Sequence, residues 1–267
     1  MRILVTNDDG IHSDGLWQLA EALSAVGEVS IVAPDRDQSG VAASLTLTSV
    51  LRVQEVPSRL DGVVANAVQG TPGDCVILAI ETILDEPPDL VVSGVNRGAN
   101  LGHDVLISGT VGAAAHGYMK GFTSIAVSAR YGEGDARYEV AARAAAAVAR
   151  ALKEAPLDVP HLINLNVPDL DAEEIKGVEL TRPGPRAFVE RVTKARDGTR
   201  THYWIAEDRI LDIAPAGTDL GAMRDGSISI SSLDFGFSEG EQAAPLDYLV
   251  DAVRADLGIH SNSYSNS

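Results

Sequence analysis

Two adjacent carboxylates, Asp8 and Asp9, stand between Asn7 and Gly10 directly after the apolar run Ile3-Leu4-Val5. Neighbouring acids repel, and keeping both ionised in a partly desolvated crevice is costly unless a cation neutralises them. A hard divalent ion such as Mg²⁺ or Mn²⁺ meets that need, because it takes oxygen ligands and shares them with water and substrate phosphate. The same residues also make an ordinary strand-to-helix turn. A second candidate group is Ser108-Gly109-Thr110, ahead of the small apolar run Val111 to Ala115. Free N–H groups at a helix start, a glycine permitting close approach and two hydroxyls make a phosphate seat, or simply a capped helix. Between the two groups lies the glycine-rich stretch Gly94 to Asp104, whose asparagines serve as binding groups or as turn residues. In it, His103 and Asp104 are candidates to protonate a leaving alkoxide, against the plainer reading of a surface loop. The lone Cys75 falls within an apolar helical pattern and reads as a buried, inert thiol.

The elements that must position these groups alternate. Arg2 to Thr6 predicts a strand buried on both faces, followed by a helix capped by Asp14 with Leu16, Leu19, Ala20 and Leu23 inward and a stop at Gly27. Val29 to Ala33 predicts a second strand, which delivers the loop Pro34 to Gly40 to the same sheet edge as the acids. Short β-like pieces at 45–47, 51–53 and 63–65 suggest an excursion off the main sheet. Thr71-Pro72-Gly73-Asp74 then predicts a capped helix running to about Leu84. Strands at 90–93, 124–128 and 162–167 and a helix at 138–153 complete the alternation. The expected fold is therefore α/β: a three-layer, Rossmann-like, mostly parallel sheet. Beyond Pro168 a hairpin is expected from strands at 188–192 and 201–205 around Arg196-Asp197-Gly198-Thr199. A further short strand at 227–231 and a terminal helix at 245–257 follow. This gives a core over 1–185, a C-terminal arm and helix over 186–259 that serve oligomerisation, and a polar, frayed tail over 260–267.

With 267 residues, 21 basic against 38 acidic, the chain carries a net charge of -17. That balance disfavours stable nucleic-acid binding, whose affinity comes from basic clusters. A small anionic substrate is compatible with it if a metal supplies the local positive charge. One cysteine excludes an intrachain disulfide, and the absence of an apolar membrane-length run makes a cytoplasmic protein with no membrane partner the expectation.

Taken together, NDDGIHSDGL at the start, APDRDQSG near 40, QGTPGDCV near 75, SGVNRGANLGHDVLISGTVGAA near 100 and NLNVP near 165 closely resemble the SurE family. The resemblance implies a divalent-metal-dependent phosphatase acting on nucleoside 5′- and 3′-monophosphates, with short-chain polyphosphate as a further substrate. It implies one Mg²⁺ or Mn²⁺ per subunit held by Asp8, Asp9, Ser39 and Asn96, all hard oxygen donors, with Asp8 and Asp9 catalytic. By the same matching, Asn7, Gly40, Ser44, Asn100, Ser108, Gly109 and Thr110 belong to the substrate and phosphate region. It also implies a homodimer or homotetramer that exchanges C-terminal elements. The expected chemistry is attack on phosphorus by an activated water, with Asp8 as ligand, base or nucleophile. This chain departs from the family at Ile107, where many relatives carry an aromatic residue, and in the stretch that begins Gly-Thr-Asp and runs to Thr-Pro-Leu, where Gly217-Thr218-Asp219 survives but Ser231-Ser232-Leu233 replaces the end.

Two rivals are weighed against this reading. A haloacid-dehalogenase-type phosphatase needs a second acid two residues after the first, and Gly10 occupies that place. A nucleotide-binding protein without catalysis fits the same fold, since fold alone does not fix function.

Overall fold

The structure, a computed structural model, describes residues 1–131, 137–186, 188–198, 200–210, 214–233 and 247–259. Its strands are β1 (Arg2–Thr6), β2 (Glu28–Pro34), β3 (Val53–Glu55), β4 (Val64–Val68), β5 (Leu90–Arg97), β6 (Ser124–Ala129), β7 (Leu162–Val167), β8 (Gly177–Thr181), β9 (Phe188–Asp197), β10 (Arg200–Ile210) and β11 (Ser227–Ser232). The helices are α1 (Asp14–Ser24), α2 (Pro72–Leu78), α3 (Gly109–Met119), α4 (Tyr138–Glu154), α5 (Asp219–Asp225) and α6 (Asp247–Leu257).

Alternation along β1 shows why helices lie on both faces. Ile3 and Val5 pack into the large core formed with α1, α4 and α6, whereas Leu4 joins Val32, Val68, Cys75 and Val91 beneath α2. Such strands bury both sides and read as continuous apolar runs. The main sheet runs β3-β4-β2-β1-β5-β6-β7-β11-β8. From β4 to β7 its pairs are parallel, which brings the carboxyl ends of β1, β2, β5 and β6 to one edge.

Several expectations are corrected here. Residues 45–47 form no strand, while β3 and β4 extend the main sheet instead of leaving it, with β4 paired parallel to β2 from Ser30↔Val64 to Pro34↔Val68. The physical reason is that β2 would otherwise present an unpaired backbone edge. Ser13, not Asp14, is the N-cap of α1, and Asp14 lies in its first turn, where an acid complements the helix dipole. Thr71 and Asp74 do form the reciprocal capping box, but α2 gives way after Leu78 to a π-helical turn over Ala79–Ile83. Cys75 is buried as expected, and burial pushes its thiol well above the ordinary range.

The chain beyond Pro168 also returns to the core. β11 is inserted between β7, antiparallel, and β8, parallel. Its serines are tolerated inside because Ser229 and Ser231 both hydrogen-bond the Thr181 hydroxyl, at 2.8 and 2.7 Å. The hairpin is longer than expected: β9 and β10 pair antiparallel from Asp197↔Arg200 outward and expose Val192, Tyr203, Trp204 and Ile205. α6 buries Leu249, Val250 and Val253 in the core it shares with α4, and Asp256 of α6 accepts from Arg150 at 3.0 Å. Positions 245, 246 and 260–267 of the expected helix and tail lie outside the described residues. Among the described residues, no helix is long and apolar enough to cross a membrane.

Candidate active site

Where β1 ends, Asn7 closes a turn: its Nδ2 donates to the Gly10 carbonyl at 3.0 Å and its Oδ1 accepts from the Gly10 N–H at 3.1 Å. Gly10 adopts φ +95°, and a Cβ there would stand 3.0 Å from the Arg36 backbone. The turn and the loop after β2 therefore lie one against the other. Asn7 is fully buried, and both ends of its amide are spent on aiming the two acids.

Asp8 is 3% exposed. Its Oδ1 accepts a 2.5 Å hydrogen bond from the Thr110 hydroxyl at the start of α3. A Cβ on Gly109 would come within 2.8 Å of Asp8 Oδ2, so the helix end and the acid meet at a distance only glycine permits. Burial, offset in part by the Thr110 hydrogen bonds and reinforced by the charge of Asp9, raises the Asp8 carboxyl from 3.8 to about 6. Asp9 is raised by burial and by Asp37, while the backbone N–H and charge of Arg97 hold it down. That N–H lies 3.4 Å from Asp9 Oδ2.

The other two expected ligands arrive on neighbouring loops. Gln38 N–H donates to the Asp8 carbonyl at 2.7 Å, which fixes the loop carrying Ser39 to the acidic turn. Asp37 Oδ1 accepts from both the N–H and the hydroxyl of Ser39 at 2.7 Å. Because the serine proton is so directed, its oxygen lone pairs are available elsewhere. Asn96 lies near the end of β5, which runs further than the sequence suggested, beside the Arg97 that contacts Asp9. Its Nδ2 donates to Gly98 O at 2.8 Å, leaving the amide oxygen as the donor suited to a hard cation.

This set fits a divalent ion. One buried and one half-buried acid, both with elevated carboxyls, stand with a hydroxyl and an amide oxygen on neighbouring loops, and no lysine or arginine among the described residues makes an ion pair with either acid. Among the described residues there is also no cluster of three or more His, Cys, Asp or Glu side chains arranged for a metal. The donor set is consequently a mixed one, as hard-cation sites that share coordination with substrate often are.

The expected phosphate residues divide into two kinds. Gly40, with φ +75°, and Ser44 are exposed on the loop beyond Ser39. That loop is tied to α3 by Ala42 N–H to Ile107 O at 3.2 Å and by His116 Nε2 to Ala43 O at 2.9 Å. Ser108 caps α3, its hydroxyl accepting from Val111 N–H at 3.1 Å. Asn100, by contrast, is a buried brace: its Nδ2 donates to Ser128 at 2.8 Å, its N–H to Asn166 Oδ1 at 2.8 Å, and its carbonyl accepts from Asn164 and Asn166. The NLNVP segment on β7 thus holds the glycine-rich loop in place. His103 is exposed, and Asp104 is buried and paired to Arg186 at 3.3 Å.

One residue was given no role by the sequence reading. Asp219, fully buried, accepts from the backbone N–H of Gly102 at 2.7 Å, Gly184 at 2.8 Å and Leu220 at 2.8 Å. It pins the far end of the glycine-rich loop. The Gly217-Thr218-Asp219 triplet was the available signal, since Thr218 caps α5 and so presents the acid.

The family model described as "Survival protein SurE" matches residues 3–190 of this chain. The chain belongs to the SurE family. Among SurE relatives, one named 5′-nucleotidase SurE from Geobacter sulfurreducens is 46% identical over 234 residues, covering 87% of each chain. Another of that name from Moorella thermoacetica is 43% identical over 255 residues, 93% of this chain and 97% of its own. The crystal structure of SurE from Aquifex aeolicus superposes with a TM-score of 0.76 at 38% identity, covering 93% of this chain and 99% of that one. The SurE architecture of a mostly parallel sheet, helices on both faces and a C-terminal hairpin is therefore the architecture of this chain.

Proposed function

We propose that this SurE-family chain is a 5′-nucleotidase that hydrolyses nucleoside 5′-monophosphates to nucleoside and phosphate. The observation that carries the reading is the Asp8–Asp9 pair at the sheet edge, with Asp8 held by Thr110 at the start of α3. The likeness to relatives named 5′-nucleotidase SurE supports it. Action on 3′-monophosphates and short polyphosphate is part of the proposal, as are a homodimer or homotetramer built on the exposed hairpin and residence in the cytoplasm.

Asp8, Asp9, Ser39 and Asn96 would hold one divalent ion, Mg²⁺ or Mn²⁺. When bound, such an ion supplies positive charge for the phosphoryl oxygens and lowers the pKa of water. Thr110 fixes the Asp8 carboxylate, so Asp8 needs no reorganisation when the phosphate arrives. Gly109 leaves room for the phosphoryl group to approach the helix end, whose positive dipole steadies developing charge on the equatorial oxygens. Asn7 keeps both acids aimed, and Asn100 and Asp219 hold the loop that completes the rim.

Phosphate release from AMP and GMP with Mn²⁺, abolished by a chelator, is the test. A protein that binds nucleotide yet releases no phosphate would be a binding module on the same fold.

A further inference from the structure

The acidic rim carries one cation whose placement the nucleotidase chemistry does not use. Arg97 follows the expected ligand Asn96, and its backbone N–H faces Asp9 at 3.4 Å. Its guanidinium lies over the ring of Tyr131, 4.8 Å from the centroid. Tyr131 stands just past the end of β6 and is 45% exposed. Gly98, at φ +127°, brings the two strand ends together: a Cβ there would lie 3.8 Å from both Asn96 Nδ2 and Tyr131 Cε1. The Gly98 N–H also donates to Ala129 O at 2.9 Å, which fixes this approach through the backbone. An exposed guanidinium–aromatic pair is thus anchored beside the expected ligand Asn96.

An aromatic ring left open to water beside a phosphate-handling centre has a natural occupant in a planar base. Every nucleobase has a π-face, and both an aromatic ring and a guanidinium plane stack on it. The geometry points to Arg97 and Tyr131 as the platform on which the nucleobase of the substrate stacks, making them the residues that distinguish a nucleotide from a bare sugar phosphate. This inference rests on the nucleotidase reading. Arg97 adds a positive charge at the mouth of an acidic site, which favours the approach of an anionic substrate. Tyr131 supplies area and holds the guanidinium in one plane.

The test compares AMP with ribose 5-phosphate, which keeps the phosphoester and lacks the base, on the full chain with Mn²⁺. Tyr131→Ala is expected to lower kcat/KM for AMP about tenfold, the effect of losing one stacking contact, through KM and not kcat. Ribose 5-phosphate turnover should change less than about twofold, because the stacking contact is absent with that substrate. Tyr131→Phe, which keeps the ring, restores AMP to near the wild-type value, and Arg97→Ala, which also removes a charge beside Asp9, lowers kcat/KM for both substrates but more for AMP than for ribose 5-phosphate. Equal losses on both substrates, or no loss on either, would overturn the assignment. Calorimetric titration of AMP and ribose 5-phosphate onto the same variants keeps the two claims separate. Wild-type protein that releases phosphate from neither substrate defeats the nucleotidase reading. AMP binding unaffected by Tyr131→Ala defeats the platform.

Discussion

Replacing Asp8 by asparagine should stabilise the metal-free protein while abolishing its activity. The carboxyl is 3% exposed and raised from 3.8 to about 6, so folding at high pH must hold a charge that the buried site disfavours. The difference corresponds to about 3 kcal/mol. The sign follows from proton binding: the folded state keeps the Asp8 proton to higher pH than the unfolded chain does. Its stabilising contribution is complete below about pH 3.8 and is lost as pH rises through about 6. Asn retains an oxygen for the Thr110 hydroxyl and carries no charge, so the substitution removes the penalty without opening a cavity. Guanidinium unfolding in excess chelator should show Asp8→Asn more stable than the wild type by about 3 kcal/mol at pH 8, with the difference shrinking towards zero near pH 4. A stabilising loss of function is what a strained active site produces. An Asp8→Asn variant less stable than the wild type at pH 8, or a difference independent of pH, would refute the claim that burial and Asp9 strain this carboxylate.

Four further outcomes follow from the same geometry. Gly109→Ala places a methyl 2.8 Å from Asp8 Oδ2 and should cut phosphate release from AMP at least tenfold, on the order of 1.4 kcal/mol in barrier, while circular dichroism stays unchanged. Asp219→Ala strands three buried N–H groups and should cost about 3 kcal/mol or more in guanidinium unfolding, with a raised KM for AMP as the loop at Gly102 loosens. At low Mn²⁺ the acid limb of the rate profile should fall near pH 6 and move lower as Mn²⁺ is raised, because protons and cation compete for Asp8; a limb indifferent to Mn²⁺ would exclude Asp8 from the ligand set. Asp9→Asn should lose turnover with its fold intact, and full activity at low Mn²⁺ would remove Asp9 from the site.

The central strands were legible because β1, β5, β6 and β7 are short apolar runs, each ending in polar or glycine-rich sequence. β4 was read as an excursion because Val-Ala-Asn-Ala-Val is short and broken by a central polar residue; the free edge of β2 explains its place. β11 alternates isoleucine and serine, a half-exposed pattern, yet is buried because Thr181 satisfies its hydroxyls. β8 and α5 escaped altogether: Gly-Val-Glu-Leu-Thr and the seven residues from Asp219 are too short for periodicity to speak. The acids, Ser39 and Asn96 were visible as motif residues at strand ends. The roles of Asn100 and Asp219 were not, since their partners stand 66 and 117 residues away and are joined only by the fold.

The central claim is that Asp8, Asp9, Ser39 and Asn96 converge on one cation. Crystals soaked in Mn²⁺ and measured at its absorption edge test it most directly. The account predicts a single strong anomalous peak per chain, coordinated by oxygens of all four side chains. A peak elsewhere, or one that leaves Ser39 and Asn96 outside coordination distance, would contradict it.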